Sequence, residues 1–437
     1  VITILSFPNF SVASWRIEVF KGKTALPKAM TDMTASVIDD FIYIVGGCEN
    51  SDGLLPVDGQ VAIERSGNFY CPNVSDDIYQ YSPLTDTFVS MHPAPRARHR
   101  HAAVAINGRI WLLGGYTDDY EVIHEVDVFD PATNSWTTPG VLDWITTDLA
   151  AFSHENVIYY GGGYINGSGN LDNEDRKYAT KEIHSFHSID ALVNSNEETF
   201  EIRSKYEFDM REARGDVHAV KWGPYAYVAG GFASNSDDAT CNPLNSVELF
   251  DLGLGSHGLA APLEHARGDK SLVAMNNILF AIGGLHKENC DIERLPVAAV
   301  VEQVETLDVT NPLMSSWEYV GDIKSDKFRF TTVAFPKLNK MYAFGGVTFY
   351  DELCNCYPSS RDVMHYKYYD VESEEGDNGD GGLTDFEMFS IVAFVCAFVG
   401  VMAKVIYNKR KNISGEKCVE ESPVIDTAEI KEGPEII

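Results

Sequence analysis

The densest basic stretch of residues 15–371 is Arg96-Ala97-Arg98-His99-Arg100-His101, set in a chain of 437 residues with a formal charge of −31. Guanidinium groups so closely spaced suit planar, charge-assisted recognition of anionic oxygens. Arg96, Arg98, His99 and Arg100 are therefore candidate binding residues for an acidic peptide or a sulfated glycan. Pairing with acidic loops of the same chain is the alternative. Two further motifs invite a reading. Arg214-Gly215-Asp216 and Arg267-Gly268-Asp269 are RGD tripeptides of the kind that integrins read. Both occupy the same place in a repeat, in MREARGDVH and LEHARGDKS, so shared repeat ancestry accounts for them better than adhesion does. Catalysis needs a constellation, and the sequence has none: no GxSxG, HExxH or phosphate-binding loop occurs. No catalytic residue, metal ligand or cofactor is assigned.

Eight cysteines are present, and six of them, Cys48, Cys71, Cys241, Cys290, Cys354 and Cys356, lie in polar stretches that follow glycine pairs. An even number in loops suits an oxidising compartment. Cys48 and Cys71 bracket one such stretch and are expected to be bonded. Cys241 and Cys290 would bridge neighbouring repeats, and Cys354 with Cys356 would close a strained ring. A zinc site is disfavoured because no CxxC pair occurs and the cysteines are scattered. Asn73-Val74-Ser75 and Asn166-Gly167-Ser168 are N-glycosylation triplets in the same kind of stretch.

These residues must be carried by something, and the sequence shows what. A short apolar strand ending in a glycine pair occurs six times. The pairs are Gly46-Gly47, Gly114-Gly115, Gly161-Gly162, Gly230-Gly231, Gly283-Gly284 and Gly345-Gly346. The strands are rich in β-branched and aromatic residues, which suits a buried position in a sheet. A second strand precedes each one across a polar turn, as at Asp39-Asp40, Asn107-Gly108 and Asn276-Asn277. A third and a fourth follow around turns such as Ser82-Pro83 and Asp130-Pro131, flanked by Tyr81 with Phe88 and by Phe129 with Trp136. Six recurrences of a four-strand unit are a repeat architecture.

The glycine doublets, the aromatic pairs with Trp136 and Trp317, and lead-ins such as Arg98-His99-Arg100-His101 resemble those of the kelch family, over roughly residues 15–371. The resemblance implies an all-β fold, a six-bladed kelch-type β-propeller. Leu252–Gly255 and Leu307 depart from the aromatic pattern in the outer strands of blades four and five. The sixth unit has only one strand after its glycine pair, so the strand predicted at Trp15–Phe20 is expected to complete the last blade. The family commonly binds partners on the face that carries the loops after the glycine pairs, and the basic stretch at Arg96–His101 would lie there. The same resemblance supplies an enzyme alternative, a galactose-oxidase-like copper oxidoreductase, for which no spaced ligand set is visible.

The remaining segments set the expected location. Residues 1–14 read as the end of a secretory signal peptide. Residues 372–385 are an acidic, glycine-rich linker. Residues 386–407 contain 20 residues, Met388–Tyr407, with a single charge at Lys404, and are expected to form one C-terminal transmembrane helix. Lys409-Arg410-Lys411 follow it, which places the tail, residues 408–437, in the cytosol and the propeller outside or in a lumen. The arrangement is single-pass type I, at the cell surface or in an endomembrane. The strong negative charge argues against nucleic acid as a ligand. The expected function is recognition: a membrane-anchored, non-enzymatic module that binds a protein or glycan partner through its propeller loops.

Overall fold

Each glycine-ended strand is the second of four antiparallel strands, and six sheets built on such a set occur among the described residues, one of them with an added fifth strand. The computed structural model describes residues 15–49, 71, 73–119, 121–165, 178–193, 200–233, 243–286, 299–312, 314–348 and 358–370. Sheet one contains Thr34–Ile38, Phe41–Val45, Ile78–Ser82 and Thr87–Ser90. Sheet two contains Ala102–Ile106, Arg109–Leu113, Glu125–Asp130 and Ser135–Leu142. Sheet three contains Ala150–His154, Val157–Gly161, Glu182–His187 and Lys205–Asp209. Sheet four contains His218–Trp222, Tyr225–Ala229, Val247–Asp251 and Ser256–Ala260. Sheet five contains Ser271–Met275, Ile278–Ile282, Gln303–Asp308 and Glu318–Asp322. Sheet six contains Thr331–Phe335, Lys340–Phe344 and Val363–Asp370, and takes its fourth strand, Trp15–Lys21, from the start of the chain.

The local chemistry accounts for these elements. The second strands FIYIV, RIWLL, ILFAI and KMYAF are buried at their last four positions, so both faces are covered and the run is continuously apolar. Their hairpins turn at residues that accept positive φ, such as Asp39 at 54°, Asn107 at 52° and Asn276 at 53°. Between sheets the cores interdigitate. Tyr43, Val45 and Ile78 of sheet one pack with Ile110, Leu112 and Phe129 of sheet two. Ile42, Ile44 and Tyr81 of sheet one also pack with Phe335, Tyr342 and Phe344 of sheet six. The first strands therefore neighbour one another in a closed cycle.

The N-terminal strand closes that cycle. It pairs antiparallel with Val363–Asp370 from Trp15↔Asp370 to Lys21↔Met364. Lys21 Nζ also lies 2.7 Å from Asp362. Burial would raise the Asp362 carboxyl, but hydrogen bonds from Lys21 and Lys327 outweigh it and hold the group at about 2.

The third glycine pair differs from the sequence reading by one residue. Gly161 ends the strand opposite Ile183. Gly162 and Gly163, at φ 62° and 82°, occupy the places that Gly46 and Gly47 hold in sheet one. Sheet two has a fifth strand that the repeat pattern does not contain. Glu201–Ile202, from the insertion in sheet three, pairs parallel to Val141–Leu142, and the helix Ser188–Val193 precedes it. Cys48 and Cys71 are bonded. The chain divides into two compact units after Val371, and the described residues all belong to the first. The predicted signal remnant, linker, transmembrane helix and tail, together with Asn166, Cys241, Cys290, Cys354 and Cys356, lie outside the described residues.

Candidate functional site

A four-residue lead-in precedes the first strand of every sheet. These are Met30–Met33, Arg98–His101, Thr146–Leu149, Arg214–Val217, Arg267–Lys270 and Lys327–Phe330. Their third residues, Asp32, Arg100, Asp148, Asp216, Asp269 and Arg329, all have φ between 51° and 55°. Aspartate tolerates this left-handed region better than most residues, which fits its use at four of the six places. Backbone hydrogen bonds link them around the cycle: Arg100 N to Asp32 O, Asp148 N to Arg100 O, Asp269 N to Asp216 O, Arg329 N to Asp269 O and Asp32 N to Arg329 O, at 3.0–3.4 Å. The six residues thus form a ring at the centre of the cycle.

The side chains of the ring converge. Arg329 reaches Asp269 at 3.1 Å, Asp32 at 3.7 Å and Asp216 at 3.8 Å, three residues from three sheets. Arg100 stands between Asp32 at 4.0 Å and Asp148 at 3.7 Å. Tyr164 donates its hydroxyl to Asp216 Oδ2 at 2.8 Å. All six side chains are at least nine-tenths buried. Burial alone would lower Arg329, but Asp269, Asp32 and Asp216 outweigh it and its pKa is raised. Burial likewise opposes ionisation of Asp216, yet Arg329, Arg100 and the Tyr164 hydroxyl hold it below the usual carboxylate range. Ion pairs this mutual and this buried tie the lead-ins of the sheets together.

The first residue of three lead-ins is an arginine with no exposure. Arg98, Arg214 and Arg267 donate to the carbonyls of Gly114, Gly230 and Gly283, each sixteen residues on. They also pair with the buried carboxylates of Asp127, Glu248 and Glu305. This corrects the expected basic binding loop. Arg98, His99 and Arg100 are buried, because Arg98 reaches inward to its own sheet, His99 sits beside the Tyr116 ring and Arg100 belongs to the central ring. Only Arg96 is partly exposed, and it pairs with Asp127 at 2.7 Å and Glu125 at 3.3 Å. The alternative reading, pairing within the chain, describes the arrangement.

The RGD tripeptides are explained by the same lead-in. Their arginines are these buried tethers and their aspartates are ring members. Their glycines are required by packing: a Cβ on Gly215 would lie 2.2 Å from the Tyr164 ring, and one on Gly268 2.1 Å from Phe232. Gly215→Ala and Gly268→Ala are each expected to destabilise the protein by about 1–3 kcal/mol through overpacking. Denaturant titration checks this, and unchanged midpoints would show that the aromatic rings can step aside.

The lead-ins also anchor the loops. The second lead-in residue of each sheet bridges to the residue after its own glycine pair: Thr31 to Cys48, His99 to Tyr116, Thr147 to Tyr164, Gly215 to Phe232, Gly268 to Leu285 and Phe328 to Val347. The returning chain bridges to that same residue at Val74, Val122, Ala179, Pro243, Val300 and Ser359. Six loops therefore leave and return through one collar fixed to the ring. The Cys48–Cys71 bond staples the first at its base. Asn73, beside that staple, is exposed. Among the described residues, no group of three His, Cys, Asp or Glu is placed to hold a metal ion.

Sequence reasoning missed Asp32, Asp148 and Arg329, and it saw Asp216 and Asp269 only as parts of a motif. The signal was a spacing. Each ring residue stands fourteen residues before the first glycine of its pair in sheets one to five, and sixteen in sheet six, where the 3₁₀ turn Pro336–Leu338 lengthens the hairpin. Aligning on the glycines, with Gly162 in place of Gly161, brings the column out.

Comparison with known proteins agrees with this architecture. The Kelch motif family matches residues 97–139, which cover the lead-in and most of sheet two. Kelch-like protein 36 of Bos taurus is 23% identical over 280 residues, 62% of this chain and 38% of that protein. Kelch-like protein 6 of Homo sapiens is 29% identical over 91 residues, 21% of this chain and 14% of that protein. An F-box/kelch-repeat protein of Arabidopsis thaliana is 26% identical over 138 residues, 32% of each chain. The chain thus spans well under half the length of these relatives. The solved structure of YjhT superposes with a TM-score of 0.57 at 14% identity, covering 78% of this chain and 96% of that one, a likeness of fold.

Proposed function

Since the chain belongs to the kelch-repeat family, we propose that it is a recognition protein: a six-bladed propeller that binds a protein partner through the loops rising from its collar. The observation that carries this reading is the repeated three-strand base of the loops, bridged in every sheet to one buried ring. Loops held at both ends by a rigid scaffold vary in sequence without disturbing the fold, which is how recognition surfaces are built. The ring beneath them is spent on its own ion pairs, so the chemistry of the face belongs to the loops. The chain acts as a binding module and not as an enzyme.

The same proposal extends to location. The apolar stretch Met388–Tyr407 anchors the chain in a membrane as a single-pass type I protein. The propeller is then outside the cell or in a lumen, at the surface or in an endomembrane. The bonded Cys48–Cys71 pair and the exposed Asn73 of a glycosylation triplet support an oxidising, glycosylating compartment. A glycan ligand is the alternative to a protein on the same face.

The test is replacement of residues 50–70, between the stapled ends of the first loop, by a short Gly-Ser linker, followed in turn by the other five loops. Proximity labelling identifies the partner of the wild-type chain. At least one replacement is expected to lower its capture about tenfold or more with the unfolding midpoint unchanged, since the replaced residues lie outside the clusters that form the core. Full capture by all six variants would rule out the loop face.

A further inference from the structure

Four carboxylates and two guanidiniums meet at the centre of the ring, and the imbalance falls on Asp216 and Asp269. Arg329 Nε donates to Asp269 Oδ1 at 3.1 Å, and the same guanidinium stands 3.8 Å from Asp216 Oδ1. Tyr164 supplies the donor for Asp216 Oδ2. Asp269 Oδ2 is buried and has no donor among the described residues. Asp216 and Asp269 are thus held against one guanidinium, with their lead-ins joined by the bond from Asp269 N to Asp216 O, and two ionised carboxylates so placed are both acceptors and repel each other. We propose that Asp216 and Asp269 share one proton, carried on Asp269 and donated to Asp216, so that the contact between the lead-ins of sheets four and five is a pH-dependent latch at the propeller axis. The proton comes from solvent as the chain folds and returns to it on unfolding.

The surroundings fix which partner keeps it. Asp216 has Tyr164, Arg329 and Arg100 to stabilise its charge. Asp269 faces Arg329 and Arg100, but also the negative charges of Asp216 and Asp32. Burial, opposed by Arg329 and reinforced by Asp216 and Asp32, pushes Asp269 well above the ordinary carboxylate range. Lys270 is next in the chain, yet its ammonium is aimed at the Ala229 carbonyl and not at the ring. Burial lowers Lys270 to about 7, against the pull of Asp269 and Asp216, and lowers His218 to about 4, against that of Asp216. The sign for Asp269 follows from its raised value. Its contribution is complete below the unfolded carboxylate range and is lost as pH rises toward the folded value. Asp216 has a lowered value and acts the other way, losing its contribution only as pH falls below the unfolded carboxylate range.

Two measurements on the full chain test the proposal. With aspartate carboxyls selectively labelled with carbon-13, the folded wild-type protein is expected to show one protonated aspartic acid at pH 7. Its absence would overturn the shared proton, including the case in which a bound cation balances the ring instead. The second compares unfolding of wild type and Asp269→Asn between pH 5 and 8. Asparagine keeps an N–H donor toward Asp216 and has no proton to take up. The folding equilibrium constant of wild type relative to the variant is expected to fall as pH rises, by up to about tenfold per pH unit, the linkage of one proton. A ratio that stays flat across that range would overturn the latch. Should Asp269→Asn fail to fold, Asp216→Asn is labelled in the same way. The protonated signal is then expected to disappear, and its persistence would place the proton elsewhere and reject the pair.

Discussion

Arg329→Met is expected to destabilise the protein by about 3–5 kcal/mol, the cost of leaving buried charge without its partner. Arg329 touches three sheets at once, through Asp269, Asp32 and Asp216. Methionine fills much of the volume, so the loss is electrostatic and not a cavity. Three carboxylates would then depend on Arg100, which stands 4.0 Å from Asp32 and 3.7 Å from Asp148 and acts on Asp216 and Asp269 at longer range. The same change at Arg96, whose side chain is one-third exposed, is expected to cost under about 1 kcal/mol, because solvent takes over its pairing. Denaturant unfolding of both variants makes the comparison, and equal midpoints would mean that the ring contributes no more than a surface pair. Adding Asp216→Asn to Arg329→Met should recover part of the loss, since it removes an ionised partner of Arg329 and the two effects do not add.

Removing residues 1–21 is expected to have the largest effect of all: loss of the monomeric fold. The strand Trp15–Lys21 is the outer strand of sheet six, paired along its whole length. Ile17 and Val19 pack on the cluster that contains Phe280, Val320, Tyr366 and Tyr368, so they join sheets five and six. The Cβ position of Gly321 in sheet five is 2.9 Å from Ile17 Cγ2, which leaves no space between the two strands. Truncation uncovers these aromatics and turns Val363–Asp370 into an unpaired edge, the usual template for aggregation. Size-exclusion chromatography and thermal unfolding of the truncated chain read the outcome. A monodisperse protein with the wild-type transition would show that three strands suffice for the last sheet.

The scaffold was legible and the site was not, and the reason is physical. Glycine pairs announce themselves because geometry excludes other residues: a Cβ on Gly114 would meet the Thr146 carbonyl at 2.3 Å, and Gly114 has φ 64°. The completing strand at Trp15 followed from counting strands per unit. The Cys48–Cys71 bond followed from position within a loop. Charges carry no such signature. Arg98 and Arg100 look in sequence like any solvated basic run, and only the fold shows that alternate residues of the lead-in turn to a buried carboxylate and to the centre. The helix Ser188–Val193 and the added strand Glu201–Ile202 were equally silent, because an insertion in one repeat has no counterpart in the other five.

The way the last sheet is closed has a mechanical consequence. Trp15 lies directly opposite Asp370, so the two ends of the propeller leave it side by side, at one end of a single antiparallel ladder. A force that draws these ends apart loads the pairs one after another from Trp15↔Asp370 inward, as in opening a zipper, and not all together in shear. The cycle of sheets is therefore weakest under tension at this one seam. A load applied to Asp370 alone does not pull on the seam in this way. The propeller bears strain from one end of its chain far better than strain between both.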